Sequence, residues 1–395
     1  MSTQESNRQI GGVTTRAVAS HNARLIVGVL RDSEARSRAE IAQLTGLSIA
    51  TVNRLTESLV ANGLLQEDND HVATGGRPAR RVRFSGGGQG VLALDLGPEK
   101  TTAVVVDLDG NFLYREVRST MPSNTSGSSS QVFASLLDFA RSAIEVCSER
   151  CTVRALGVSV PGIVRPDSGL VDFAPALQWW AMPLASQLEH ELGVPVLAEN
   201  DVNLLALAEH RRGSGMRTRD MVAISLSTGV GAGLILDGRL HRGWQGGAGE
   251  IGYMLVERSS LEHVWPTYGD LESRIGIAGA NRRAAEIGIE DINGVTVAAL
   301  AGDPAAQHVF DQIADELAIA IGNICALISP EVVVVGGQVA RAADQLTIGC
   351  EQRLRGRIPT VPRIVPAQLR DATLLGAAEI AIDHVVHLGT TLLGS

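Results

Sequence analysis

Apolar side chains between residues 37 and 65 recur at helical spacing, and they predict two short helices joined by a tight turn at 46–48. The apolar positions are Ile41 and Leu44 in the first helix, and Val52, Leu55 and Leu59 in the second. Ser48 is expected to cap the start of the second helix, because its hydroxyl can accept a hydrogen bond from a free backbone N–H there. The spacing and the turn are typical of a helix-turn-helix.

The polar face of the second helix carries short or hydrogen-bonding side chains suited to base edges and phosphates in a DNA major groove. These candidate DNA-binding residues are Ser48, Ala50, Thr51, Asn53 and Arg54. An ordinary helical hairpin, with no role in DNA binding, is the alternative. We favour DNA binding because a basic segment follows in the chain.

That basic segment spans residues 74–84 and predicts a short β-hairpin, the wing of a winged helix-turn-helix. Its arginines, expected near the phosphate backbone, are Arg77, Arg80, Arg81 and Arg83. Gly75-Gly76-Arg77-Pro78 is slim and extended, so Arg77 is expected to enter a narrow, electronegative minor groove. A solvated basic loop is the alternative interpretation.

Beyond residue 84 the pattern changes to short apolar strands, and the same plan occurs twice. A Gly-rich stretch at 85–90 predicts a flexible linker. Strands are expected at 91–96, 102–107 and 112–118 with an Asp109-Gly110 turn, and again at 222–226 and 233–236 with an Asp237-Gly238 turn. Further elements are helices near 131–150 and 311–328 and strands at 155–160 and 331–335. The repetition predicts a duplicated α/β fold with a cleft between two lobes.

Charge is distributed unevenly along the 395 residues. Residues 1–84 contain 11 arginines and 8 acidic residues, whereas the whole chain has a formal net charge of −9. This difference indicates that only the N-terminal part meets nucleic acid. The four cysteines, at 147, 151, 325 and 350, lack the spacing of a disulfide framework or metal site, and no apolar run suits a signal peptide or membrane span. We therefore expect a reduced, cytoplasmic protein with no membrane partner.

Several motifs, each weak individually, occur together in a specific order. They are Ser37-Arg38-Ala39-Glu40, Gly75-Gly76-Arg77-Pro78, Val160-Pro161-Gly162-Ile163-Val164, Glu199-Asn200-Asp201-Val202-Asn203, Ser227-Thr228-Gly229-Val230-Gly231-Ala232-Gly233, Gly247-Ala248-Gly249-Glu250-Ile251-Gly252 and Gly336-Gly337. In this order they resemble the ROK family (repressor, open reading frame, kinase), in the branch with an N-terminal winged helix-turn-helix. The resemblance covers almost all of the chain after about residue 20. It implies an α/β actin/hexokinase-like fold with two lobes, a sugar-type ligand, and a homodimer or a larger assembly such as a tetramer.

The organisation expected from pattern and resemblance has four parts. They are a flexible leader at 1–21, a winged helix-turn-helix at 22–84, the linker at 85–90 and a ROK domain at 91–395, whose lobes are roughly 91–205 with the C-terminal helix and 206–378.

The first phosphate loop departs from the kinases of the family. They have Asp-x-Gly-Gly-Thr, whereas this chain has Asp95-Leu96-Gly97-Pro98-Glu99. Pro98 lacks an amide donor, and Glu99 places a negative charge where a polyanion would lie. Ser227 also replaces a glycine in the second phosphate loop. Asp201 matches the family's catalytic base, but we interpret it as an acceptor for sugar hydroxyls and expect no enzyme activity.

The positions that contact the sugar in the family are better preserved than the first phosphate loop. The resemblance implies ligand contacts by Asn200, Asp201, Glu250 and Glu272, since carboxylates and amides accept several hydroxyl hydrogen bonds, and we add Tyr253 as a further candidate. Each of these residues alone is as well explained by a surface or salt-bridge role. Tyr253 stands where many members have a zinc-binding histidine, and no cysteine lies between it and Glu272. We therefore expect no metal and no other cofactor.

The sequence thus predicts a transcriptional regulator, most simply a repressor of carbohydrate genes, whose dimer binds a double-stranded DNA operator and is controlled by a sugar or sugar derivative. Two alternatives stay open. One is an ATP-dependent sugar kinase with a DNA-binding head, and the other is a regulator controlled by a protein partner.

Overall fold

The computed structural model describes residues 15–31, 35–68, 80–86, 88–108, 110–120, 129–265, 267–338 and 343–391. The helices are α1 (Thr15–Arg31), α2 (Arg38–Thr45), α3 (Ile49–Ala61), α4 (Ser129–Cys147), α5 (Leu184–Leu192), α6 (Asp201–Arg212), α7 (Asp270–Ile275), α8 (Ile277–Glu286), α9 (Ile292–Leu300), α10 (Pro304–Ile328), α11 (Ala343–Leu354) and α12 (Ala372–Thr391). The strands are β1 (Arg36–Ser37), β2 (Leu65–Asp68), β3 (Arg81–Phe84), β4 (Gln89–Leu96), β5 (Lys100–Asp107), β6 (Phe112–Ser119), β7 (Thr152–Val160), β8 (Ile163–Val164), β9 (Val171–Ala174), β10 (Trp179–Met182), β11 (Val196–Asn200), β12 (Met221–Leu226), β13 (Val230–Leu236), β14 (Arg239–His241), β15 (Val332–Gly336) and β16 (Arg363–Pro366). None of the helices in these ranges has a stretch long and apolar enough to cross a membrane.

The N-terminal elements form a helix-turn-helix with a small sheet of order β1-β3-β2, which we call the head. A capping box starts α2: the Ser37 hydroxyl accepts the Glu40 N–H at 3.3 Å, and the Glu40 carboxylate accepts the Ser37 N–H at 2.7 Å. Gly46 ends α2 in a left-handed conformation, with φ of 71°, that favours glycine. The helix-turn-helix expected from the apolar spacing is confirmed.

Two features of the head differ from the expectation. Leu44 is 55 % exposed, because it lies in the last turn of α2 beyond the contact with α3, and the buried residue of this helix is Ile41. An additional helix, α1, begins at Thr15, within the stretch expected to be a leader. Its buried residues have the i, i+3, i+4, i+7 spacing of an amphipathic helix, and they are Ala23, Ile26, Val27 and Leu30.

The rest of the chain contains two five-stranded sheets of the same topology. The first has the order β6-β5-β4-β7-β11, and the second has the order β14-β13-β12-β15-β16. In each sheet a central strand pairs with antiparallel neighbours on one side and with parallel strands on the other. This match confirms the duplicated two-lobed fold, and the elements expected from the pattern occur with bounds shifted by a few residues.

Helices α6 and α12 pack against each other between the sheets, with α12 on β4 and β7 and α6 on β12 and β13. They approach closely, since a Cβ on Gly376 of α12 would lie 2.3 Å from the Leu204 carbonyl oxygen of α6. Ion pairs join them further along: Arg211 donates to Glu379 at 2.8 Å and to Asp383 at 2.5 Å. The two helices are therefore held as one unit.

The head and the first lobe have a common hydrophobic core, which we call the shared core. It includes Ile26, Leu30, Leu55, Leu59 and Val82 of the head and Val91, Val104, Ala377, Ile382 and Val385 of the lobe. Backbone hydrogen bonds flank the junction: Ser85 donates to the Leu64 carbonyl at 3.1 Å, and Thr152 donates to the Gly88 carbonyl at 2.7 Å. Packing thus attaches the head in addition to the linker expected at 85–90, while the domain bounds themselves remain predictions.

Candidate functional site

The outer side of α3 is the candidate DNA surface. Ser48 caps the helix, because its Oγ accepts the Thr51 N–H at 3.2 Å. Ala50 and Arg54 are exposed, whereas Thr51 and Asn53 are half-buried. All five candidate residues therefore have side chains that solvent can reach. Their contact with DNA bases remains a prediction.

Glu67 of β2 organises the arginines beside this surface, although it was not among the expected site residues. It accepts from Arg38 at 2.9 Å and from Arg80 at 3.1 Å. Arg80 is nevertheless 72 % exposed, so its guanidinium is accessible to a phosphate. Arg77, expected in the minor groove, lies outside the described residues. The acidic residues that precede the basic segment were the sequence signal that could have identified Glu67.

The sugar-site candidates begin where β11 ends and α6 starts. Asn200 caps α6, because its Oδ1 accepts the N–H groups of Val202 at 2.9 Å and Asn203 at 3.0 Å. Its Nδ2 donates to the Gly162 carbonyl at 3.0 Å. Both polar groups of Asn200 thus have protein partners, and a sugar contact by this residue would add to a structural role.

Asp201, the first residue of α6, lies close to Asp95 and Glu250, and Glu250 in turn lies close to Glu272. We call these four carboxylates, Asp95, Asp201, Glu250 and Glu272, the acidic cleft. Burial, together with Asp95 and Glu250, raises the pKa of Asp201 to about 7. Burial and the neighbouring Glu272 raise the pKa of Glu250 to about 7. Burial also raises the pKa of Asp95 and of Glu272. Asp95 ends β4 of the first sheet and Glu250 lies beside the second, so acidic groups of both lobes meet here.

Glu272 lies against the second phosphate loop. Its carboxylate accepts the Val230 N–H at 2.9 Å, and a Cβ on Gly229 would be 3.4 Å from its Oε2. Glu272 thus occupies one backbone donor of this loop and places a carboxylate beside it. Tyr253 is near the same group, since burial, Glu272 and Glu250 raise the pKa of its phenol. Asp201, Glu250, Tyr253 and Glu272 are therefore neighbours, while their contact with a ligand remains a prediction.

The first phosphate loop turns from β4 into β5, where the Gly97 N–H donates to the Lys100 carbonyl at 3.0 Å. Glu99 is exposed at this turn. Asp95, at the end of β4, accepts the Thr373 hydroxyl at 3.1 Å. Thr373 is the second residue of α12, so this helix reaches the acidic cleft at one end and the shared core further along.

Asp270 holds the loop that carries Glu272, and it was also missing from the expected site residues. Its carboxylate is 1 % exposed and accepts from the Val256 N–H at 2.8 Å, from Arg274 Nε at 2.8 Å and from the Ser260 hydroxyl. Asp270 thus ties residues 256–260 to α7, the helix that carries Glu272. In the part of the chain that the structure describes, no three metal-ligating side chains form a cluster.

Comparison with known proteins gives matches to both parts of the chain. The ROK family model matches residues 91–384, and the model of the IclR helix-turn-helix domain matches residues 25–69. The N-acetylglucosamine repressor of Escherichia coli O157:H7 is 27 % identical over 358 residues, which cover 86 % of this chain and 87 % of that protein. The glucokinase of Halalkalibacterium halodurans is 34 % identical over 238 residues, which cover 55 % of this chain and 71 % of that protein.

A solved structure has the same overall arrangement. It is the crystal structure of a ROK family transcriptional regulator, a homologue of the E. coli MLC protein. The two structures have a TM-score of 0.81 at 25 % sequence identity, and the match covers 95 % of this chain and 98 % of that one.

Proposed function

We propose that this chain, which belongs to the ROK family, is a DNA-binding repressor of carbohydrate uptake and catabolism genes, controlled by a sugar. The observation that carries the proposal is a physical connection between two sites. Helix α12 touches Asp95 of the acidic cleft through Thr373 and contributes Ile382 and Val385 to the shared core with the head. A change at the cleft therefore has a packed route to the DNA surface.

The cleft is the proposed sugar site. Asp201 and Glu250 are carboxylates that lie deep in the protein yet keep some open surface, so they can accept hydrogen bonds from hydroxyl groups. Their raised pKa values, about 7 for each, reflect burial and repulsion from neighbouring carboxylates, which are Asp95 and Glu250 for Asp201 and Glu272 for Glu250. Hydroxyl donors from a sugar would relieve part of that unfavourable free energy, which gives the liganded state its advantage.

Binding without catalysis is the finer part of the proposal. A nucleotide triphosphate is a polyanion, and the exposed Glu99 places a carboxylate at the first of the two loops that would hold it. Pro98 also removes a backbone donor from the first loop. The cleft would therefore bind the sugar and lack the cradle for phosphoryl transfer.

The proposed DNA complex contains two heads. A homodimer would place two copies of α3 in successive major grooves of a roughly palindromic operator, with Arg54 and Asn53 at the bases. Because the shared core joins each head to its first lobe, a change in lobe closure would alter the spacing of the heads. Only a ligand that favours one arrangement can change operator affinity in this way.

In vitro selection from a random duplex library, followed by fluorescence anisotropy, tests the proposal. We expect an enriched palindromic operator, and we expect one member of a saccharide panel to weaken binding to it. No enrichment would contradict DNA recognition. Enrichment with no response to any saccharide would favour control by a protein partner instead.

A sugar kinase with a DNA-binding head is the second candidate. Two observations favour it: the pKa of Asp201 near 7 suits a general base, and a glucokinase is among the relatives. A coupled assay with ATP and a hexose and pentose panel decides between them. We expect background rates, and turnover that Asp201→Ala abolishes would establish the kinase.

A further inference from the structure

Two tryptophans near the sugar-site candidates are unusually exposed for such large apolar side chains. Trp180 is 60 % exposed and Trp244 is 91 % exposed. Their neighbour Trp179 is fully buried, and its indole N–H donates to the Ser129 carbonyl at 3.2 Å, as is usual for a core tryptophan. Exposed aromatic side chains beside a concave site often mark a binding surface.

The strand pairing relates Trp180 to Ile163, a residue close to the sugar-site candidate Asn200. Trp180 lies opposite Phe173, and Phe173 lies opposite Ile163, in the sheet of order β10-β9-β8. Directly opposed residues point to the same face of a sheet. Ile163 immediately follows Gly162, whose carbonyl binds the Asn200 side chain. The row of three apolar side chains therefore starts next to a sugar-site candidate.

The loop with Trp244 meets the same face. A Cβ on Gly247 would be 4.0 Å from the Ile163 Cδ1 atom, and one on Gly246 would be 2.1 Å from the Val164 carbonyl oxygen. This loop continues directly into Glu250 of the acidic cleft. Trp180 thus lies two strands from Ile163, and Trp244 lies on the loop that borders Ile163. We call these two tryptophans the aromatic rim.

The backbone around Trp180 supports a fixed position for its side chain. Gln178 and Ala181 have left-handed φ angles of 55° and 52°, although neither is glycine. Such conformations are unfavourable for residues with a Cβ, and they persist where surrounding structure or function requires them. Gln178 ends the short 3-10 helix that precedes β10, and strand alternation then places Trp179 in the core and Trp180 on the opposite, solvent-facing side.

We propose that the aromatic rim binds a further ring of a saccharide whose first ring occupies the acidic cleft, so that the ligand has two or more sugar rings. This inference rests on the proposed sugar site. Two strand spacings, about 10 Å, separate Trp180 from Ile163, which leaves room beyond a single ring. The apolar C–H face of a pyranose fits an indole face, which carries partial negative charge, and burial of both removes apolar surface from water.

Titration calorimetry on the full chain tests the inference with matched pairs of ligands. The probes are glucose against maltose and cellobiose, xylose against xylobiose, and N-acetylglucosamine against its β-linked disaccharide. The variants are Trp180→Ala and Trp244→Ala. Phe112→Ala is the control, because Phe112 is 61 % exposed but lies on β6, at the far edge of the first sheet from β11.

In the wild type, we expect one disaccharide to bind more tightly than its monosaccharide. Each tryptophan variant should weaken the disaccharide by roughly three- to tenfold and leave the monosaccharide within about twofold. The control should bind both as the wild type does. Circular dichroism and light scattering would verify fold and assembly in each variant.

Three results would overturn the inference. A monosaccharide that binds at least as tightly as every disaccharide would reject it and leave the proposed function intact. Wild-type disaccharide affinity in both variants would also reject it, and a changed assembly state in that case would make the tryptophans a subunit interface. Absence of binding by every probe would reject the proposed sugar site together with the inference.

Discussion

The shared core and the acidic cleft both contact helix α12, but the first consists of apolar side chains and the second of carboxylates. In the shared core, apolar side chains of the head and the lobe exclude water, and Ile26 and Val82 are fully buried. In the acidic cleft, four carboxylates lie close together, and the pKa of Asp201 is raised to about 7. A packed apolar contact fixes a geometry, whereas crowded carboxylates leave free energy that a hydrogen-bonding ligand can recover.

This difference in composition suits the two regions to different roles in a regulator. In the proposed mechanism, the shared core would make the head follow the first lobe, and a ligand in the acidic cleft would favour one arrangement of the lobes. The α6–α12 unit joins them, because Asp201 starts α6 and Thr373 of α12 binds Asp95.

The largest expected effect comes from a charge placed in the shared core. Val385 is 6 % exposed, and Val385→Asp should lower the free energy of unfolding by about 3–5 kcal/mol, because the carboxylate is buried without a partner. Calorimetry should show one transition at a melting temperature reduced by roughly 6–20 °C. Val146→Asp is the control, since Val146 is 62 % exposed. Separate melting of the head, with the lobes unchanged, would show that the core is not shared.

A methyl group between α6 and α12 should have the next largest effect. Gly376→Ala should destabilise the protein by about 1–3 kcal/mol, because its Cβ would lie 2.3 Å from the Leu204 carbonyl oxygen and force the helices apart. Gly28→Ala is the matched control in α1, where a Cβ meets no atom within 4 Å. That change should stabilise the helix by about 0.5–1 kcal/mol. Equal melting temperatures for the two variants would mean that the close approach is unimportant.

On the DNA surface, the two arginines should differ in a measurable way. Arg54→Ala should weaken operator binding by about 1–3 kcal/mol and relax sequence preference at one position, because it removes a proposed base contact. Arg80→Ala should cost less and act equally on all sequences, as expected for a phosphate contact that competes with Glu67. Anisotropy at several salt concentrations distinguishes them. Indistinguishable profiles would place the wrong residue at the bases.

The smallest expected effect is the pH dependence of the acidic cleft. The pKa of Glu250 rises from 4.5 in the unfolded chain to about 7, so the folded state loses stability as pH rises through this window. Glu250→Gln removes the charge and should raise the melting temperature near pH 8, with a smaller gain near pH 5. Glu149→Gln, at an exposed position, is the control. A gain that grows towards acid pH would contradict the crowding of the carboxylates.

Local patterns predicted local structure well in this chain. Capping by Ser48 and the apolar positions Val52 and Leu55 were sufficient for α3, because these signals act within one helix. Leu44 was misplaced, since spacing alone does not show where the partner surface of α2 ends. The amphipathic spacing of α1 is visible in the sequence, but the predicted leader contains no strong N-cap signal that would have marked where the helix begins.

Contacts between distant segments were not predictable from the sequence. The shared core joins Ile26 to Val385, and the residues between them carry no local sign of that contact. The family resemblance proposed Asp201, Glu250 and Glu272 as neighbours, but the bond from Val230 to Glu272 emerged only from the fold. Such contacts depend on the duplicated topology as a whole.

The measurement that tests the coupling of the two regions most directly is a reciprocal titration on the wild type. Operator affinity is measured with and without a saturating saccharide, and saccharide affinity is measured with and without operator. We expect the saccharide to weaken operator binding by about 5–150-fold, and the operator to weaken saccharide binding by the same factor, because linkage requires equality. Saccharide binding that is unaffected by saturating operator would show that the acidic cleft and the head are not coupled.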